Sequence, residues 1–334
     1  MKPFVIRVWT LATILVPLAA NVSAQELRIA TLAPGDSQWM QDMQAGGERI
    51  RQMTDGRVVL KFRAGGVAGS GAQVLRRIRI GDLQGGAFTA GELGTIYPGL
   101  NTYGIPLIFR SLDEVDYVRA SLDPKLAAGL EAHGFVSLGF SEGGFSNLMS
   151  NVPVSDIDDL RRQKIWVPDN DPISFQVLEA LRLAPVPLEL SDALLGLQRG
   201  LVDVVAGSPV VALVLQWHTQ VKYRTDLPIS YSMGVFAIAA DAFYELAPED
   251  QQIVRTVVAD VMTGIDRDSR ADNAEALQVM DKMGIQSVPV NDADVEVWRQ
   301  VIVDQFPEIR RRRDIDVELF DEMLKLLEEF RTSH

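Results

Sequence analysis

The chain has 334 residues, of which 47% are hydrophobic and 23% charged, with no cysteine and a formal net charge of -13 at pH 7. That balance describes an ordinary globular protein, excludes a disulfide framework and the usual cysteine-bearing zinc sites, and argues against nucleic acid or anionic lipid as partners, since both demand a positive surface. About 310 residues beyond the N-terminal segment exceed what one hydrophobic core usually serves, so two domains are expected.

At the start, Lys2 and Arg7 precede an apolar run from Val8 to Ala20, and Val22-Ser23-Ala24 stands before Gln25. This is the pattern of a secretory signal peptide over residues 1–24. The run falls short of the roughly 20 residues of a membrane-spanning helix. No cysteine follows the cleavage point, so no lipid anchor is expected there, and the product is expected to be soluble in the periplasm.

From Glu26 onward, short β-prone runs alternate with helical patterns, as in an α/β protein with largely parallel sheets. LRIATLA reads as a strand, Ser37 to Thr54 as a helix ending at Asp55-Gly56, and RVVLKF as a second strand. A helix from Gln73 to Ile80 leads into GDLQGGAFTA, a third strand of small residues. GFVSLGFSEGGFSNLMSN reads as two extended pieces broken by glycines. Then come the helical turn DIDDLRRQ, the strand IWVP, the helix DPISFQVLEALR, the strand APVPLEL, the helix DALLGLQRG and the apolar strand LVDVVAG. After SMGVFAIAA, a helical region runs from Pro248 to about Met283, interrupted near Gly264. Ile315, Leu319, Phe320, Met323, Leu326, Leu327 and Phe330 give the last helix one apolar face.

Catalytic signals are weak. His133, His218 and His334 sit in no metal-binding spacing, and neither dinucleotide nor P-loop glycine motifs occur. GFSEG matches the GxSxG string around Ser141, but a nucleophile elbow needs a strand turning straight into a helix, and here an extended piece follows. AGGVAGSGAQ, between strand and helix, reads as a tight turn rather than an anion site. Arg310 to Arg313 lies between Glu308 and Asp314 and reads as a local paired patch. Nothing requires an enzyme, a cofactor or a metal.

An exported two-domain α/β chain of this kind fits a solute-binding protein whose lobes close on a ligand. In order, LRIATLAPGDSQW, TDGRVVLKF, TYGIPLIFRSLDE, GGFSNLMSNVPVSDIDDLRRQKIWVP, PVPLELSDALLGLQRGLVDVV, QVKY and ELAPEDQQIVRTVV carry a closer likeness. The chain resembles the DctP-type substrate-binding proteins of tripartite ATP-independent periplasmic (TRAP) transporters over nearly its full mature length. The resemblance implies a two-lobe fold with two mixed sheets flanked by helices and a long inter-lobe helix. One lobe would take residues 25–143 plus 232–272, the other 144–231 plus 273–334. It also implies large and small membrane subunits as partners. A tetratricopeptide-repeat partner is a further implied possibility, and a receptor feeding a sensor kinase is the competing role.

The family pattern implies an arginine that grips a carboxylate on the KIWVP strand, and this sequence has Trp166 there. A second family arginine corresponds to Ser146, an asparagine to Gly207 after Ala206, and a pocket aromatic to Leu190. The first-strand polar position is Thr31, and an acidic one becomes Thr89. A charge-assisted pair contributes about 1.5 to 3 kcal/mol, whereas Trp166, if its roughly 150 to 250 Å² were covered by ligand, would contribute about 4 to 6 kcal/mol. The expectation is a largely apolar or aromatic ligand. The alternative is an organic acid held by a relocated Arg161, Arg162 or Arg182, with Trp166 in the core. Trp39, Phe88, Ser208 and Phe175 complete the candidate contacts. Phe145 should point away from the cleft by strand alternation, Trp217 lies near the lobe boundary, and Asp169 and Asn170 read as turn and capping residues.

Overall fold

Alternating β-branched and small residues, punctuated by Asp-Gly and Gly-rich turns, fold in the computed structural model into ten strands, twelve α-helices and three short 3-10 helices, over the described residues 24–333. The signal-peptide reading falls outside the described residues, apart from Ala24. The first half contains β1 (Gln25–Ala30), α1 (Gln38–Met53), β2 (Val58–Arg63), α2 (Gly71–Arg79), β3 (Gly85–Thr89), α3 (Ala90–Gly94) and α4 (Leu112–Ala132). Helix α1 begins where the Ser37 hydroxyl accepts the Met40 amide at 3.3 Å, as a serine N-cap should.

Strand β4 (Phe135–Ser150) then carries the chain across to the second half: α5 (Ile157–Leu160), β5 (Lys164–Pro168), α6 (Pro172–Ala180), β6 (Ala184–Leu188), α7 (Ala193–Gln198), β7 (Val204–Gly207), α8 (Pro209–Val214) and β8 (Tyr223–Thr225). Strand β9 (Ser230–Ala239) returns, followed by α9 (Ala240–Tyr244), α10 (Pro248–Lys282), β10 (Gln286–Val288), α11 (Asp292–Ile309) and α12 (Val317–Ser333).

The strands follow the order β2-β1-β3-β9-β4-β7-β5-β6, with β8 beside β4 and β10 beside β8. Pairing is parallel among β1, β2 and β3 and among β5, β6 and β7, and antiparallel where β9 and β4 join these groups. The two mixed sheets are thus continuous through β4, whose residues Phe135–Ser146 pair with β9 while Asn147–Ser150 pair with β7.

Three expectations change. The glycine-broken stretch is one strand, because irregularities between Ser137 and Gly139 and between Glu142 and Gly144 absorb the bends as bulges do. Gly144 is required there: its φ is +85°, and a Cβ would lie 2.7 Å from Asn273 Nδ2. Helix α10 runs unbroken past Gly264 for 35 residues, about 50 Å, packing on α1 in one half and α8 in the other. The C-terminal helix α12, expected with the second lobe, packs on α4 of the first. Its Leu319, Phe320, Met323 and Leu327 share a core with Val115, Val118, Leu122 and Leu126 of α4, and Arg331 bonds Glu114 at 2.7 Å. In the basic run, Arg311 pairs with Glu308 and Arg312 with Asp314.

Candidate functional site

Parallel strands end their carboxyl termini on one side, and in open α/β sheets that is where ligands bind. Here the C-terminal ends of β5 and β7, the bulged middle of β4, and the loops after β1 and β3 surround one cavity of about 980 Å³, at the upper end of the ~300–1,000 Å³ range of small-molecule sites. Across its mouth, Ser70 Oγ at the start of α2 donates to Glu189 Oε1 after β6 at 2.8 Å, so the two halves are joined by a direct bond.

The wall is mostly apolar. Its ionisable residues, apart from Tyr103 and Tyr231, are all acids: Asp42, Glu92, Glu142, Asp169, Asp171, Glu189, Asp268 and Asp272. Among the described residues no lysine, arginine or histidine lines it. Guanidiniums behind the wall are already engaged, Arg312 among them, which donates to Asp314 and Gln176. Arg119 donates to Asp123 at 2.9 Å and to Asp266 at 2.9 and 3.2 Å, and Arg270 is shared between Asp116 and Glu142. Arg161 and Arg162 are exposed and pair with Asp158 and Asp159, and Arg182 is exposed at the end of α6.

Trp166 lines the cavity, but as part of its wall. The ring is 4% exposed, packs edge-on against Trp217 with centroids 5.2 Å apart, and spends its Nε1 on the Leu188 carbonyl at 3.1 Å. The 150 to 250 Å² expected to be gained under a ligand is therefore already covered by the protein, and its packing energy goes to the fold. Gly207 belongs to the same arrangement: a Cβ there would lie 2.7 Å from Cζ3 of Trp217, so the bare position makes room for the second indole.

Ser146, Leu190, Thr89, Trp39 and Ser208 also line the cavity. Thr89 and Ser208 are at once the caps of α3 and α8, accepting the Glu92 and Val211 amides. Three candidates lie elsewhere. Thr31 and Phe88 are buried around a separate small hollow. Phe175 is off the stripe of α6 whose residues Ser174, Val177 and Leu178 face the space, because one residue turns a helix by about 100°. Asp169 and Asn170, read as turn residues, line the wall, while Asp171 caps α6 through the Ser174 amide at 2.9 Å. Phe145 is not among the lining residues and packs edge-on against Tyr231, which is. Tyr103 and Tyr231 went unpredicted. Their hydroxyls meet Asp123 and Arg119, pairings that no local pattern announces.

Ser141 lines the cavity in mid-strand. His133 and His218 bond the Gly129 and Ala212 carbonyls instead. Among the described residues no cluster of His, Cys, Asp or Glu is arranged to hold a metal, and no helix is long and apolar enough to cross a membrane.

Glu92 is 9% exposed, and its carboxylate accepts the Thr89 amide at 2.8 Å in a capping box. Burial pushes its carboxyl up, Thr89 opposes this, and Asp169 and Glu189 add to the rise. A carboxyl raised on folding contributes stability that is fully present below the unfolded value near ~4.3 and lost as pH rises through the folded value. Glu92→Gln keeps the cap and removes that loss. Its urea midpoint should match the parent near pH 4 and exceed it at pH 7.

A family model described as bacterial extracellular solute-binding protein, family 7 (DctP), matches residues 29–311. The chain belongs to the DctP family. A solute-binding protein of Chromohalobacter salexigens is 23% identical over 79% of each chain, and the C4-dicarboxylate-binding periplasmic protein DctP of Rhodobacter capsulatus 23% identical over 71% of this chain and 72% of that one. The uncharacterized Salmonella typhimurium protein YiiZ is 24% identical over 64% of this chain, and the match spans 65% of YiiZ, just under two thirds. The sugar acid binding protein DctPAm of Advenella mimigardefordensis, solved with galactonate, shares the fold at a TM-score of 0.85 and 18% identity, over 92% of this chain and 98% of that one. A TRAP periplasmic solute binding protein of Sulfitobacter, solved with galacturonate, does so at 0.81 and 20%, over 92% and 99%. DctP-family membership places the chain among solute-binding proteins rather than enzymes.

Proposed function

We propose that this DctP-family protein is the periplasmic solute-binding component of a TRAP transporter, that it captures an uncharged, largely apolar ligand between its halves, and that it presents this ligand to large and small membrane subunits. The observation that carries the reading is the absence of any cation from the lining among the described residues, beside eight carboxylates. An anionic ligand would enter without a partner and against like charge. Each missing charge-assisted pair forfeits about 1.5 to 3 kcal/mol, roughly 10- to 150-fold in affinity, and an uncompensated buried charge costs several kcal/mol more. The positions that the family resemblance assigns to two arginines and an asparagine, 166, 146 and 207, and to a pocket aromatic, 190, line this wall as Trp, Ser, Gly and Leu. Closure is served by the bond from Ser70 to Glu189, with β4, β9 and α10 as the connections that flex.

The solved relatives with bound galacturonate, galactonate and orotic acid favour a second reading, organic-acid binding. It requires a guanidinium such as Arg119 or Arg270 to abandon two carboxylates, or Arg312 to leave Asp314. Calorimetric titration with galacturonate, glucuronate and succinate separates the two. The first reading predicts Kd values above about 1 mM for all three, and a micromolar Kd for any of them would overturn it.

A further inference from the structure

Buried hydroxyls in folded proteins are hydrogen-bonded, and each exception calls for a reason. Ser141, in the middle of β4, is 8% exposed and lines the cavity, and its Oγ has no bonding partner among the described residues. It is not sealed off either. The enclosed, unbonded side-chain atoms of the described residues belong to Thr102, Ser137, Trp217, Arg224 and Arg299, so the Ser141 hydroxyl keeps surface toward the cavity.

That hydroxyl stands at the edge of a gap. Ser141 lies directly opposite Gly234 of β9, and Gly234 lies opposite Thr89 at the end of β3. Directly opposed residues carry their side chains on one face. Gly234 is half-buried and lines the cavity. A Cβ on it would lie 2.8 Å from Ser141 Oγ and meet nothing else nearer than 3.8 Å. Glycine inside a strand weakens the strand and often marks a place where a ligand comes close. On the far side Thr89 is exposed to the cavity, and its Oγ1 accepts the Glu92 amide, which leaves its own hydrogen free to donate. The result is a slot one residue wide, floored by Gly234 and flanked by two hydroxyls, with about 10 Å between the flanking Cα atoms.

We propose that this slot holds one uncharged oxygen function of the ligand, a ketone, lactone or alcohol, hydrogen-bonded by Ser141 and Thr89. The inference rests on the proposed function, an uncharged ligand in the interlobe cavity, and adds its chemical class: an oxygenated hydrocarbon rather than a plain one. A hydroxyl donates and accepts without carrying charge, so it answers a neutral carbonyl or alcohol in full.

Three probes of one shape test it by equilibrium dialysis against the mature protein at pH 7: 2-acetylnaphthalene, 2-isopropylnaphthalene and 2-naphthoate. Ser141→Ala should weaken the ketone by about 2- to 12-fold, the worth of one neutral hydrogen bond, and leave the isopropyl hydrocarbon unchanged. The melting midpoint of that variant should not fall, because the hydroxyl bonds nothing in the protein. Gly234→Ala keeps the hydroxyl but fills the slot, and should weaken the ketone at least as much. Failure of the ketone to bind, a ketone affinity indifferent to Ser141→Ala, or an equal loss for ketone and hydrocarbon overturns the slot. Micromolar binding of 2-naphthoate overturns the uncharged-ligand reading itself, so the two failures are distinguishable.

Discussion

Trp166→Ala should lower the stability of the ligand-free protein by about 3 to 5 kcal/mol, the cost of deleting a large aromatic from a packed core. At roughly 2 to 4 °C per kcal/mol for a chain of this class, the midpoint should fall by on the order of 10 °C. The reasoning is geometric. The indole lies among Ala193, Leu197 and Trp217, is bonded to Leu188, and so works as a strut between β5, β6 and α7. Trp166→Phe keeps a ring and loses the bond, so it should cost nearer 1 kcal/mol. An alanine variant with an unshifted melt and only weakened ligand binding would mean that the ring serves the ligand and not the lobe.

The second large effect belongs to Arg119→Met. Arg119, whose side chain is 12% exposed, holds Asp123 and Asp266 together behind the cavity wall, and Tyr103 and Tyr231 lean on the same group of charges. Removing one partner of a buried ion pair costs about 3 to 5 kcal/mol, because the other is left charged and unmatched. Burial already pushes the Asp123 carboxyl up, with Arg119 the largest opposing influence. Without the guanidinium it rises further. A raised carboxyl loses its stability contribution as pH rises through the folded value, so the variant's deficit in urea melts should be full at pH 7 and shrink toward pH 4. A deficit independent of pH would point to lost packing alone.

Much of this architecture is readable from the chain. The Ser37 cap, the Thr54-Asp55-Gly56 stop and the Asp171-Pro172 start of α6 are local signals with local causes. What was illegible depends on contacts between distant segments. Glycines in β4 look like breaks because a bulge needs its partner strand, β9, to be recognised. The apolar face of α12 announces burial but not that α4 is its mate. Arg119 reads as one more surface charge on a helix until Asp266, 147 residues away, folds against it. At the site, Trp166 was placed at the cleft from resemblance, while its union with Trp217 across Gly207 depends on a meeting of three elements that no spacing encodes. The stripe on α6 was open to a closer count: position 174 with 177 and 178 rather than 175.

Native mass spectrometry of the protein purified without unfolding is the most direct measurement of what the cavity holds. A cavity walled by hydrocarbon and carboxylates, with no cation among the described lining residues to answer an anion, should yield an adduct that organic extraction recovers as an uncharged, largely apolar molecule. A hexuronate, aldonate or dicarboxylate recovered at stoichiometric occupancy would contradict the account.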